Sequence, residues 1–311
     1  VKAVVINQYG DSNVLEEMEL SKPTPDENQV LVEIYATSIN PIDWKLRSGY
    51  LKDMLPLEFP IILGWDLAGK VVATGDKVEN FQIGDEVFAR PATNNRGTYA
   101  EYAAVDEHLL AKKPASLTFE QAASIPLAGL TAWQCLVDVT KVKAGEKVLI
   151  QAGAGGVGSL AIQIAKSIGA YVATTASADN EAYVKELGAD LFIDYRKENF
   201  EDVLADYDVV IDTMGGEILN RGFTVLKPGG RIVTISGQPD QSLADKYQVE
   251  ANGYWLNPDG TQLGELGELL EKGDVKPQVG HTFPFSGEGL RRAHQLSETH
   301  HAKGKIVINM K

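Results

Sequence analysis

Residues 147–159 read Lys147-Val-Leu-Ile-Gln-Ala-Gly-Ala-Gly-Gly-Val-Gly-Ser159. The apolar run at the start predicts a buried strand, and the small-residue stretch from Gly156 predicts a helix. Between them, Gly153, Gly155 and Gly158 spell G-x-G-x-x-G. That pattern is weak alone, but between a strand and a helix it is the signature of a dinucleotide-binding turn. Gly153 permits the tight turn, Gly155 lets the backbone approach a pyrophosphate, and Gly158 lets the helix pack on the strand. The amides of Gly156 and Val157 open the helix, where free N–H groups and the positive dipole end favour an anion. The competing reading is a turn that is merely tight.

Downstream, strands are predicted at 147–152, 171–176, 191–195, 208–212 and 231–236. Helices are predicted at 156–168 (closed by Gly169), 179–187 (closed by Gly188), 200–205 and 217–226, the last stopped by Pro228-Gly229-Gly230. Strand–helix alternation with near-continuous Val/Ile strands implies a doubly wound parallel sheet covered on both faces. This α/β domain is placed at residues 124–264.

Upstream, β-branched runs at 2–7, 29–40, 67–74, 85–89 and 98–105 are separated by turn signals such as Thr74-Gly75-Asp76. They predict a β-rich, barrel-like domain. Thr118 and Gln121 form a capping box ahead of one long apolar helix reaching about residue 139. After the alternation come a helix at 261–271, a β-like stretch at 278–285, a helix at 289–299 and a strand at 305–310. The chain is expected to return and complete the first domain, which is then discontinuous, residues 1–123 and 265–311.

A strand that binds NAD by the ribose hydroxyl ends in Asp or Glu, about twenty residues after the glycine turn. Here it ends Thr174-Thr175-Ala176-Ser177, which leaves room for a 2′-phosphate and favours NADP(H). Ser177, Tyr195 and Arg196 are the candidate phosphate contacts, and Asp179 nearby weighs against them.

The 311 residues suit two domains. Hydrophobic residues are 44% and charged residues 23%, an ordinary globular balance that argues against disorder. A net charge of −14 opposes nucleic-acid binding, so none is expected. The single cysteine, Cys135, supplies neither an internal disulfide nor the paired thiolates of a zinc ribbon, and it fits a cytoplasmic setting. No leader pattern and no apolar run of roughly 18 residues is present, so no membrane association is expected.

This order of a β domain, a linking helix, an A-G-A-G-G-V-G turn and a returning C-terminus resembles the medium-chain dehydrogenase/reductase superfamily. The resemblance is to its zinc-independent quinone oxidoreductases and enone reductases. It runs along essentially the whole chain, through Ser38-Ile-Asn-Pro-Ile-Asp-Trp-Lys45, Gly97-Thr-Tyr-Ala-Glu-Tyr102, Ala122-Ala-Ser-Ile-Pro-Leu-Ala-Gly-Leu-Thr-Ala-Trp133 and Ala302-Lys-Gly-Lys-Ile-Val307. It implies a Rossmann-type domain beside a GroES-like barrel, and a homodimer.

Zinc alcohol dehydrogenases of the superfamily hold a catalytic metal with Cys, His and Cys. At the matching positions stand Asn40, Trp65 and Ala128, which supply no thiolate or imidazole, and the four-cysteine zinc lobe is missing. Asp66 remains one carboxylate, and the adjacent His300-His301 point in different directions on a helix end. No zinc is therefore expected.

The resemblance also assigns Asn40 and Thr131 to the nicotinamide ribose and phosphates, Gly237 and Tyr254-Trp255-Leu256 to the nicotinamide walls, and Lys305 to a late cofactor contact. Lys45 is the candidate donor to the oxygen that gains charge after hydride transfer, or else a cofactor-phosphate contact, with Tyr50 and Tyr99 as further candidate donors. Substrate contacts are expected from loops 45–56, 90–97 and 238–257. The expected activity is NADPH-dependent reduction of a small quinone or enone. The alternatives are a zinc-type alcohol dehydrogenase and a non-catalytic nucleotide-binding sensor or scaffold.

Overall fold

The computed structural model describes all 311 residues. The chain opens with strands β1 (Lys2–Ile6), β2 (Glu16–Glu19) and β3 (Gln29–Ile39). Helix α1 (Pro41–Arg47) follows, then β4 (Ile61–Ile62), β5 (Leu67–Thr74), β6 (Glu86–Ala89), β7 (Tyr102–Asp106) and β8 (Leu110–Lys112). Helices α2 (Phe119–Ala123) and α3 (Pro126–Trp133) lead to the alternating segment. That segment comprises β9 (Lys147–Ile150), α4 (Gly156–Ile168), β10 (Tyr171–Ala176), α5 (Glu181–Glu186), β11 (Leu191–Asp194), α6 (Phe200–Val203), β12 (Tyr207–Asp212), α7 (Gly216–Gly222), β13 (Leu226–Thr234), α8 (Gln241–Tyr247) and β14 (Glu250–Gly253). The chain ends with α9 (Gly260–Lys272), β15 (Val279–Pro284), α10 (Gly287–Glu298) and β16 (Lys305–Asn309).

Two compact units result. The first contains Val1–Leu130, Pro258–Lys272 and Pro277–Lys311. Its sheets have the orders β2-β1-β4 and β15-β16-β3-β5-β6-β8, with β7 also on β3. β16 pairs antiparallel with β3 (Ile306 opposite Ile39), so the last strand lies against the end of the first long one. Ile6, Leu46, Leu63, Trp65 and Ile308 are fully buried in one of its cores.

The second unit contains Thr131–Asn257 and Gly273–Lys276. Its six parallel strands run β11-β10-β9-β12-β13-β14, which is the 3-2-1-4-5-6 order of a Rossmann-type sheet. The glycine turn follows β9, at the point where the strand order reverses, the place such sheets bind ligands.

The unit boundaries differ from those expected at 123/124 and 264/265. α9 belongs with the first unit because Gly260 lies against the backbone of β8 and its neighbours. A Cβ there would stand 2.5 Å from the Leu110 carbonyl oxygen and 2.6 Å from that of His108. Lys276 instead returns to the second unit, where its amide donates to Gln163 Oε1 at 2.9 Å. The predicted single helix to residue 139 is also corrected. α2 has the expected Thr118–Gln121 capping box, but Pro126, which lacks an N–H, begins a new helix. From Gln134 to Val139 the chain widens into a π-helical turn. Pro228-Gly229-Gly230 do not separate helix from strand. β13 starts at Leu226 and runs through them, and its register on β12 shifts between Tyr207 and Val209. Neither α1 nor the pair α8 and β14 was predicted.

Candidate active site

In the second unit, α4 starts at Gly156 and ends at Gly169, as the glycine pattern predicts. The three glycines are not equivalent. A Cβ on Gly153 would lie 2.1 Å from Thr174 Oγ1, and one on Gly158 would lie 2.3 Å from the Ala152 carbonyl oxygen. These two are required by the protein's own packing. A Cβ on Gly155 would meet nothing closer than 3.4 Å. Its lack of a side chain serves no internal contact, which fits close approach by a ligand. The first-turn amides at Gly156, Val157 and Gly158 have no intrahelical acceptor. The geometry therefore fits a pyrophosphate.

β10 pairs with β11, Ala176 opposite Asp194, and Tyr195 N donates to the Ala176 carbonyl. The register brings Ser177 beside Tyr195 and Arg196 at one end of the sheet. Tyr195 is half exposed and the Arg196 guanidinium lies 5.6 Å from its ring centre. The Arg196 guanidinium has no carboxylate partner; Asp194 accepts from the Arg196 amide at 3.1 Å and pairs with Lys197. Ser177 Oγ accepts from Asn180 Nδ2 at 3.1 Å, and Asp179 is exposed nearby.

Thr131 is buried. Gly237 (φ 111°) has a backbone conformation that other residues rarely adopt, with open space where a Cβ would stand. Residue Gln134, which sequence reasoning missed, holds the segment after β14. Its Oε1 accepts from Tyr254 OH at 2.9 Å and from Asn257 N at 3.2 Å, while its Nε2 donates to the Asn257 carbonyl at 2.6 Å. The π-helical turn thus fixes Tyr254, half-exposed Trp255 and Leu256. Cys135 beside it is buried in apolar surroundings that push its thiol up to about 12, so it is inert.

In the first unit, Asn40 belongs to a polar centre built around Asp66. Asp66 is fully buried. Its carboxylate accepts from Ser38 Oγ at 2.6 Å, Asn40 Nδ2 at 2.7 Å and Leu127 N at 2.7 Å, and Lys305 Nζ lies 3.4 Å away. Lys305 was expected at the cofactor, but its ammonium is already occupied. It donates to the Ile39 carbonyl at 2.9 Å and to Asn40 Oδ1 at 2.5 Å. Both ends of the Asn40 carboxamide are thereby fixed, with one N–H of Nδ2 left over. Trp65 is fully buried and Ala128 nearly so.

Asp43 stands in the first turn of α1 and accepts from Asn40 N at 2.8 Å. The same oxygen accepts from Tyr99 OH at 2.8 Å. Tyr99 in turn lies 3.0 Å from His294 Nε2, and His294 Nδ1 lies 3.0 Å from Arg47 Nη1. Arg47 also pairs with Glu298. Arg47 only donates, so Nδ1 accepts and Nε2 carries the hydrogen toward Tyr99. Burial pushes His294 down to about 3, with the Arg47 charge adding to the effect, in agreement with that neutral tautomer. Tyr99 is therefore an interior link and not a substrate-facing hydroxyl.

Burial pushes Asp43 up to about 7, against the bonds from Asn40 and Tyr99 that favour its charge. Unfolded, it ionises near 3.8. Between those values the folded protein holds the extra proton, so this group's contribution to stability is full below pH 4 and is lost as pH rises through 7. His294 acts oppositely, losing stability as pH falls from 6.5 toward 3. Asp43→Asn should remove the first slope only. Unfolding free energies from urea titrations at pH 5 and 8 are expected to diverge less in the variant than in the parent, by about 1–3 kcal/mol. Equal slopes would refute the assignment.

Lys45 lies on α1, 5.7 Å over the Trp44 ring, with no carboxylate partner. Tyr50 is 77% exposed and meets Trp44 edge-on at 6.5 Å. The structure brings them to one aromatic cluster with His300, whose ring is 5.7 Å from Trp44. No three His, Cys, Asp or Glu side chains come together as a metal site, and no helix is long and apolar enough to cross a membrane.

Two family models match the chain: the alcohol dehydrogenase GroES-like domain over residues 26–115 and zinc-binding dehydrogenase over 187–308. The NADPH-dependent alkenal/one oxidoreductase of Arabidopsis thaliana chloroplasts is 40% identical over 99% of this chain and 79% of its own length. The quinone oxidoreductase of Coxiella burnetii superposes with TM-score 0.92 at 36% identity, covering 100% of this chain and 99% of that one. The Escherichia coli quinone oxidoreductase complexed with NADPH has TM-score 0.90 at 28% identity, covering both chains fully.

Proposed function

The chain belongs to the medium-chain dehydrogenase/reductase superfamily, in its group of quinone oxidoreductases and alkenal/one reductases. From that premise we propose that it is a zinc-independent, NADPH-dependent reductase of quinones or α,β-unsaturated carbonyls. The observation that carries this reading is the Asn40–Asp66–Lys305 centre. Where a zinc enzyme gathers thiolate and imidazole around a metal, a lysine ammonium supplies the positive charge and holds a carboxamide. Trp65 and Ala128 add no ligand atom.

NADPH, when bound, supplies the hydride. The chain's residues then position and polarise. The amides of Gly156, Val157 and Gly158 would hold the pyrophosphate, and the lack of a side chain at Gly155 would let it approach. Ser177, Tyr195 and Arg196 hold the 2′-phosphate. In the second unit, Thr131, Gly237 and the Tyr254–Leu256 segment are the nicotinamide candidates. In the first, Lys305 and Asp66 set the orientation of the Asn40 carboxamide, whose remaining N–H is a donor for the cofactor. Lys45 and Tyr50 stand as donors to the substrate oxygen that gains negative charge. The free outer edge of β14 supports a homodimer, which light scattering tests.

Fluorescence titration should give tighter binding of NADPH than of NADH, with Arg196→Ala narrowing the gap by about tenfold, the loss of one charged phosphate contact. A panel of quinones and enones should drive NADPH oxidation in protein that carries no zinc by elemental analysis. Stoichiometric zinc with chelator-sensitive alcohol oxidation would make it an alcohol dehydrogenase. Tight NADPH binding without turnover of any acceptor would make it a sensor.

A further inference from the structure

Arg90 follows the last residue of β6 and is 3% exposed. A buried guanidinium is ordinarily held by a carboxylate or by a full set of acceptors. This one makes a single hydrogen bond, from Nη1 to the carbonyl of its neighbour Pro91 at 2.6 Å. No carboxylate lies within ion-pair distance, and its buried Nε–H has no acceptor. Nη1 is the nitrogen on the Cδ side. The idle pair is therefore Nε and Nη2, the parallel side-on fork that matches a carboxylate.

The surrounding charges leave Arg90 over. Lys305 answers Asp66, and Arg47 answers Glu298. Asp43 retains its proton to about pH 7. Burial depresses Arg90 to about 10, and the charges of Asp66 and Asp43 act against that fall without bonding to it. The side chain thus belongs electrostatically to the Asn40–Asp66 centre. It also begins the 90–97 loop that the sequence assigns to substrate contacts.

We infer that Arg90 is a substrate-recognition residue whose idle fork binds a carboxylate carried by the α,β-unsaturated carbonyl substrate. The inference rests on the reductase reading for the substrate's reactive part, but the carboxylate site itself does not need turnover.

Two matched probe pairs test it on the full chain with NADPH: a 4-oxo-2-enoic acid against its methyl ester for turnover, and the saturated 4-oxo acid against its ester for binding by calorimetry. The parent should prefer each acid. Arg90→Met should lower the acid-to-ester ratio in kcat/KM and in affinity by about 10- to 100-fold, the range for one bidentate charged contact. Arg90→Lys, which keeps the charge and loses the fork, should fall between. Replacing an unanswered buried cation by an apolar side chain should not lower the melting temperature of Arg90→Met. A parent without acid preference, or a preference that survives in Arg90→Met, overturns the proposal. So does an equal loss for acid and ester, which would make Arg90 a carbonyl contact. If no enone is reduced but the saturated acid still binds through Arg90, the reductase reading fails and this one stands.

Discussion

Gly158→Val is expected to lose NADPH binding by more than about 100-fold, some 3 kcal/mol, together with a lowered melting temperature. The new Cβ would fall 2.3 Å from the Ala152 carbonyl oxygen and 2.8 Å from Gly153 Cα. Both are backbone atoms that cannot rotate away, so either α4 must retreat from β9 or the turn must open. Either movement redirects the first-turn amides that are to hold the pyrophosphate. Gly155→Ala separates the two consequences, since its Cβ has 3.4 Å of room inside the protein. It should melt with the parent while binding NADPH more weakly. Near-parental affinity in Gly158→Val would remove the glycine turn from the cofactor site.

Asp66→Ala should cost about 3–5 kcal/mol of stability, the usual penalty for stranding a buried charge. The carboxylate accepts from Ser38, Asn40 and the Leu127 amide and neutralises Lys305, which is 4% exposed. Its removal leaves an ammonium with two carbonyl-type acceptors and no counter-charge. Adding Lys305→Met should therefore cost little further, and in urea unfolding the double variant should be more stable than the sum of the singles by about 1–3 kcal/mol. Simple additivity would mean that the two charges do not sense each other.

The Rossmann-type half was legible in the sequence because local signals there report tertiary facts. Strand, glycine turn, helix and closing Gly169 occupy adjacent positions, and their periodicities are strong. The adjacency of Ser177 and Tyr195 was also findable, since each sits one residue beyond the end of one of two neighbouring strands. The centre in the first unit was not legible. Asn40, Asp66, Leu127 and Lys305 lie in four separate segments, and no local pattern encodes their meeting. The resemblance assigned Lys305 to a late cofactor contact and left Tyr99 as a candidate donor to the substrate; sequence carries no depth, so the burial of both was not visible in it. One signal was available: Asp43 at the third position after Asn40, with Pro41 between them, is a helix-start pattern. Gln134 gave none, because a π-helical turn has no distinctive spacing.

The bond between Asn40 and Lys305 spans 265 residues, and that span has a consequence for synthesis on the ribosome. The first unit cannot seal its polar centre when its opening 130 residues emerge. Asp66 must stay hydrated, without its lysine, while the whole inserted Rossmann-type unit is made, and that unit can fold independently in the meantime. The Ala36–Ile39 end of β3, beyond the stretch that β7 covers, likewise waits with one side unpaired until β16 arrives. The late strand therefore brings the missing edge and the missing charge together, so that backbone pairing and charge burial are completed in one closing step.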